Sequence, residues 1–354
     1  MKHHLGRVVS QLSQRCRNYG TEGAASQTTL IRQLREKSSA PIKNVKAALV
    51  QCNWDMEAAF TELRKKGLAA VSKKASRAAT EGLLALSKKP GMASIIELNS
   101  ETDFVARNDI FQHLASRVAQ AALSLCDTST SKGRLPGTSV IDLHALESVR
   151  IKLEHPKLIS EGTVQEAIQE AASIIGENLK LRRAFLVSSN SGLVSSYLHA
   201  SLQPGLGKTA GLLTLETKNG SVKAPLELMS SVGESLAMHI VAARPLFLSK
   251  ECVTKEVWEH EKSIILSQVS GSNKPEQILN KMVEGRLRKY AEEVVLLDQK
   301  FAMDDKVTVK QVVEDLSKKA GIAVEVGCYL RMEVGETAER EESTQPIEAV
   351  AQAG

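Results

Sequence analysis

The sequence predicts an α+β protein: an amino-terminal three-helix domain, a core of two α+β subdomains with antiparallel sheets, and a helical hairpin inserted in the second subdomain. Three observations carry this. Residues 28–67 hold three short apolar stripes at helical spacing. Residues 80–334 then repeat, weakly and twice, a pattern of alternating strand-like runs and long amphipathic stripes, the mark of segregated helices and antiparallel strands. Within the second repeat, residues 251–294 carry two sparse stripes close to coiled-coil periodicity.

In the first domain, Leu30, Ile31 and Leu34 form the first stripe. Pro41 opens the second helix from a first-turn position, where its missing N–H costs nothing, and Ile42, Val45, Ala48 and Leu49 follow. Asn53 is placed to cap the third helix, in which Met56, Ala59, Phe60 and Leu63 recur at i, i+3, i+4 and i+7. Gly67 is expected to end it, and a basic, Ala/Ser-rich linker to span 68–79. So small a bundle resembles a ubiquitin-associated domain.

Core subdomain N is expected over 80–203. Strands Gly82–Leu86 and Ala93–Leu98 flank the turn Lys88-Lys89-Pro90-Gly91. A helix over 109–125 presents Phe111, Leu114, Val118 and Leu125, and 126–160 reads as an irregular excursion. Thr163 starts a helix with Val164, Ile168, Ala171, Ile175 and Leu179 on one face; strands Arg183–Val187 and Leu193–His199 follow. Subdomain C is expected over 204–334, with a strand at Gly211–Glu216, a helix opened by Pro225 and stopped at Arg244-Pro245, a short helix bearing Val312, Val313 and Leu316, and a strand at Val324–Val334. In the hairpin one stripe is Val253, Val257, Ile264 and Val269, the other Leu279, Val283, Leu287, Tyr290 and Val294. Residues 335–354 are polar and read as a frayed tail.

Charge and composition exclude several classes. The chain of 354 residues carries a net charge of +5. Lys2, Arg7, Arg15 and Arg17 against Glu22 place +3 of it in residues 1–29, leaving +2 for the rest. A nearly neutral body with 3% aromatic residues argues against direct nucleic-acid binding, by backbone electrostatics or by base stacking. The basic, acid-poor segment 1–27, with Leu5, Val8, Val9 and Leu12 on one helical face and no continuous apolar stretch, reads as an organellar transit peptide. No apolar run reaches the roughly 18 residues a membrane span requires. Five cysteines without metal-ligand spacing read as free thiols in a reducing compartment.

Little points to an enzyme. Gly205-Leu206-Gly207-Lys208-Thr209 looks like the end of a phosphate loop, but Leu202 stands where that motif needs glycine, and a strand rather than a helix follows. The eight histidines show no paired metal spacing, His239 lies on an apolar helical face, and nothing requires Asp103 and His199 to meet as an acid–base pair. No cofactor is implied.

The most informative string is Glu101-Thr102-Asp103-Phe104-Val105-Ala106-Arg107-Asn108, at a strand-to-helix junction where the first helical N–H groups lack partners. By itself it reads as a helix capped by Thr102 or Asp103 with Phe104 in the core. Together with Phe111, Gly176-Glu177-Asn178 followed by Arg182-Arg183, Tyr197-Leu198-His199, Ala237-Met238-His239 and Lys281 to Arg286, it resembles the elongation factor Ts family, and the likeness covers about residues 28–335. That resemblance implies a non-enzymatic guanine nucleotide exchange factor for elongation factor Tu. It implies that Asp103 and Phe104 enter the partner near its magnesium site, and that Thr102, Val105, Tyr197, His199, Arg35, Met238 and His239 also touch it. Keeping the hairpin resembles bacterial and plant organellar members. With the leader, the expected compartment is the mitochondrial matrix, the plastid being the alternative. The competing function is an adaptor or scaffold that uses its three-helix domain to bind ubiquitin-like partners.

Overall fold

A computed structural model describes residues 27–38, 40–128, 137–217, 226–269 and 276–336. The expected transit peptide and most of the expected tail lie outside these. The first module is α1 (27–38), α2 (Ile42–Gln51) and α3 (Met56–Lys74), closed around Leu34, Val45, Ala48, Leu49, Ala59 and Leu63. Two local expectations are corrected. Asp55, not Asn53, caps α3, its carboxylate accepting from the Glu57 and Ala58 N–H groups at 2.9 and 3.0 Å. Asn53 and Trp54 instead take left-handed conformations (φ 53° and 64°) that turn α2 into α3. Nor does Gly67 end α3, which runs to Lys74 and shortens the expected linker to a few residues. A Cβ at Gly67 would lie 1.9 Å from Ser173 Oγ, so this glycine serves the close approach of α3 to the core.

The core is four layers, with helices outside two facing antiparallel sheets. The first sheet has the order β3-β6-β2-β1-β8: β1 (Glu81–Lys89), β2 (Met92–Ser100), β3 (Gly137–Val140), β6 (Lys180–Ser188) and β8 (Leu206–Gly207). The second has the order β12-β9-β7: β7 (Gly192–His199), β9 (Thr209–Thr217) and β12 (Val324–Glu333), with β10 (Lys300–Phe301) and β11 (Asp304–Thr308) pairing separately. Alternate residues of the inner strands face opposite cores. Leu83, Ala85, Ile96 and Leu98 meet α4 (Asp109–Thr128) and α6 (Val164–Ile175), whereas Leu84, Ala93 and Ile95 meet Ala210, Leu212 and Met332 of the second sheet. Leu213 and Leu215 turn outward to α7 (Leu226–Ala243) and α10 (Val309–Ala320). Because both faces are covered, these strands read as nearly continuous apolar runs rather than as an alternation.

The expected boundary at 203/204 is therefore corrected. β7, placed in subdomain N, belongs to the second sheet, and β8, placed in subdomain C, pairs with β1 of the first. The excursion at 126–160 is more regular than expected. β3 joins the edge of the first sheet, α5 (Leu143–Glu147) follows, and β4 (Arg150–His155) pairs with β5 (Leu158–Thr163) in a hairpin against α4 and α6. Thr163 forms a complete capping box with Glu166 at the head of α6.

The inserted hairpin is α8 (Lys255–Val269) and α9 (Glu276–Val294). At its base, Val253, Ala291 and Val295 gather Phe247 and Trp258; farther out, Ile265 and Val283 gather Leu279 and Leu287. Ile265 is the inward residue, and Ile264, assigned to the stripe by spacing, faces solvent. A buried polar lock joins distant parts of the core. The fully enclosed Glu97 carboxylate pairs with Arg183 and accepts N–H bonds from Gly335 (2.8 Å) and the Asn99 amide (3.1 Å), while Arg183 also donates to the Glu333 carbonyl (2.7 Å).

Candidate functional site

The corner between β2 and α4 does not fold as a simple capped helix. Residues Asp103–Arg107 make a short 3-10 turn, and neither Thr102 nor Asp103 caps it through its side chain. The cap of α4 comes from Asn108, whose Oδ1 accepts the Ile110 N–H at 2.9 Å. The tighter 3-10 turn places Val105 and Ala106 inward and leaves Phe104 77% exposed. The aromatic of this corner that enters the core is Phe111, fully buried. The Asp103 carboxylate is exposed and makes no hydrogen bond or ion pair among the described residues.

An apolar ring held in water on a short turn needs support, and the loop after α6 supplies it. Gly176 ends α6 in a left-handed conformation (φ 86°), which redirects the chain beside the corner. Glu177 then accepts both the Thr102 N–H (2.9 Å) and the Thr102 hydroxyl (2.7 Å). In return Glu101 accepts the Asn178 N–H at 2.7 Å and pairs with Arg77 at 3.2 Å. These contacts, the Asn178 N–H foremost, hold the Glu101 carboxyl below the usual carboxylate range. The Asn178 amide donates onward to the carbonyls of Ala75 (3.3 Å) and Arg77 (2.9 Å), and Lys74 donates to the Gly176 carbonyl. The string Gly176-Glu177-Asn178 carried the resemblance, but its role as a clamp was not legible in sequence. A left-handed glycine beside a carboxylate and an amide was the available signal.

The other expected contact residues fall into two groups. His199 is exposed at the end of β7, with the Tyr197 hydroxyl 3.3 Å from its Nδ1; Tyr197 itself is half-buried on the second-sheet core. Arg35 is exposed on α1, and Met238 is 39% exposed on α7. Val105 and His239 lie inward: Val105 is 5% exposed and packs beneath the corner, and His239 is fully enclosed. His239 Nε2 lies 3.0 Å from Gln299 Oε1, and its Nδ1 accepts the Ala302 N–H at 3.1 Å. Burial pushes its pKa down, against an opposing effect of the Gln299 bond. The two residues support the surface from below.

The segment Gly205 to Thr209 runs from the short β8 straight into β9, and Lys208 pairs with Glu81 at 3.1 Å; the phosphate-loop architecture is absent. Among the described residues, no group of three metal-ligating side chains converges and no helix is long and apolar enough to cross a membrane.

A family model described as Elongation factor TS matches residues 101–336, from the first residue of the clamped corner to just past β12. The chain belongs to the elongation factor Ts family. It is 54% identical over 331 residues to a protein named "Elongation factor Ts, mitochondrial" from Ricinus communis, with 93% of this chain and 86% of that one covered. It is 50% identical over 350 residues to a Zea mays protein of the same name, covering 98% and 90%. A Bartonella quintana protein named "Elongation factor Ts" is 42% identical over 323 residues, covering 91% and 97%. The matched family region contains the corner, its clamp, β7 and the hairpin, while the three-helix module precedes it.

Proposed function

We propose that this protein is a guanine nucleotide exchange factor for elongation factor Tu in mitochondrial translation. The observation that carries the proposal is the exposed Phe104 beside an unpaired Asp103, on a corner fastened by Glu177 and Glu101, in a chain of this family. The names of the plant relatives support the compartment, and the basic leader suits matrix import.

Magnesium in a nucleotide site holds few protein ligands and several waters, so displacing its surroundings weakens both the ion and the diphosphate. Phe104 is the wedge and Asp103 brings a carboxylate against that electrostatic arrangement. Exchange requires reciprocal coupling: the factor weakens GDP as much as GDP weakens the factor. A thousandfold loss of affinity corresponds to about 4 kcal/mol. Burying the exposed part of Phe104 contributes roughly 1–2 kcal/mol, so other contacts supply the rest. His199, Met238 and Arg35 are exposed and suited to that grip. GTP then binds the emptied site and favours a partner conformation that sheds the factor. The factor makes and breaks no covalent bond.

The test is release of fluorescent GDP from elongation factor Tu, with and without the protein. Catalytic amounts should accelerate release many-fold. Unchanged release at saturating protein would refute the proposal.

A further inference from the structure

We infer that the Gly176–Asn178 loop is a positioning device that joins the three-helix module to the Asp103–Phe104 corner, with Glu177 as the positioning residue. The inference rests on the exchange reading and adds residues to it. Glu177 touches neither Asp103 nor Phe104 in the contacts above; it holds Thr102, the residue before them, by both its main chain and its side chain. Two bonds from one carboxylate fix both position and rotation of a residue. Without them, the loop would reach the corner only through Glu101, and Thr102 would keep only its carbonyl bond from the Ser100 hydroxyl at 2.9 Å.

The same loop is fastened to the module. Lys74, the last residue of α3, donates to Gly176, and Asn178 holds the backbone at Ala75 and Arg77. Arg77 closes the circuit by pairing with Glu101. Elsewhere the module meets the core where α3 packs on α6. A cleft of about 410 Å³ opens between them, lined by Phe60, Lys66 and Lys74 on one side and by Ser173 and Ile175 on the other. Beside it α3 and α6 are joined at the Gly67–Ser173 approach and by the Arg64–Glu170 pair at 3.1 Å. The α3 end, the loop and the corner therefore form one connected unit, and a partner that grips the module sets the orientation of the wedge.

The experiment uses the full chain and elongation factor Tu loaded with fluorescent GDP, with hydrogen exchange measured on the free protein in parallel. Glu177→Ala should reduce GDP release at saturating factor by about tenfold, which corresponds to about 1.4 kcal/mol, the low end for a bond to a charged acceptor because the pair is exposed, with the fold retained. The amides of residues 101–105 should exchange faster. Glu177→Gln should restore most of both readouts, since its amide oxygen accepts the Thr102 N–H and its amino group donates to the Thr102 hydroxyl. A packing role alone would not distinguish Ala from Gln in this way. Thr102→Val, which removes only the hydroxyl bond, gives a partial version of the same effect should Glu177→Ala fail to fold. Asn178→Ala tests the link to the module: exchange at 75–80 and at 101–105 should rise together. Wild-type release by Glu177→Ala would overturn the positioning role. Faster exchange at 75–80 with none at 101–105 would overturn the coupling. If wild-type protein releases no GDP, the exchange reading fails, and hydrogen exchange in Glu177→Ala still decides whether the clamp holds the corner.

Discussion

Replacing Phe104 by alanine separates a residue built for contact from one built for the fold. Fully burying a phenylalanine contributes about 1.5–3 kcal/mol. With 77% of Phe104 in water, about three quarters of that gain, roughly 1–2 kcal/mol, is still to be made on binding. Phe104→Ala should therefore slow GDP release at saturating factor by about 5- to 30-fold and weaken the nucleotide-free complex to a similar degree. Its melting should hardly move, since exposed substitutions stay within about 0.5 kcal/mol. Phe111→Ala, seven residues on and fully buried, should instead cost about 3–5 kcal/mol of stability. Stopped-flow release and calorimetry on both variants make the comparison. Wild-type release by a folded Phe104→Ala protein would refute the wedge. A large drop in its melting temperature would show that Phe104 serves the core.

Four other outcomes are expected. Asp103→Asn, which keeps shape and removes charge, should leave melting unchanged and slow release in the same assay. Trimming the hairpin across residues 262–287, with a short Gly/Ser loop in place of the distal cluster, should keep a folded, exchange-active protein, because the base around Val253, Ala291 and Val295 remains; circular dichroism and GDP release check this. Since burial lowers the His239 pKa in the fold, the unfolded chain takes up protons more readily below its ordinary value of 6.5, and stability should fall as pH drops from there. His239→Gln should flatten that fall below about pH 6.5 in denaturant titrations, leaving a residual slope of the same sign from His113, whose pKa burial also lowers. Residues 1–30 fused to a fluorescent reporter should mark mitochondria; a plastid signal would change the compartment and leave the exchange chemistry intact.

The sequence made the elements readable and their partners much less so. Stripes such as Val164, Ile168 and Ala171 bury as the period requires, and the Thr163 cap forms as its spacing suggests. Strand assignment failed where period carries no partner information: β7 and β8 exchange sheets, and a strand covered on both faces looks the same in either. Gly67 misled because glycine marks both a helix end and a close approach, and only the position of Ser173 distinguishes them. At the site, the Thr102–Asn108 string was visible, but the direction of its side chains was not. Whether Thr102 caps a helix or meets Glu177 depends on a residue 75 positions away. His239 shows the converse, since a motif match gives no indication of depth.

The Glu97 lock bears on the order in which this chain can mature. Its carboxylate lies in the middle of the first sheet, yet Arg183 comes 86 residues later and the Gly335 N–H 238 residues later. A chain delivered from its amino terminus, by a ribosome or through a translocation pore, therefore carries a charged group whose ion-pair partner comes only with Arg183 and whose last donor comes only with Gly335. Until Arg183 arrives the carboxylate is unpaired and is kept in water, since a lone buried carboxylate costs several kcal/mol. Closure of the core is in effect a check on completeness: a product cut short before Gly335 keeps the Arg183 pair but leaves one acceptor position of an enclosed carboxylate unfilled, which costs about 1–3 kcal/mol.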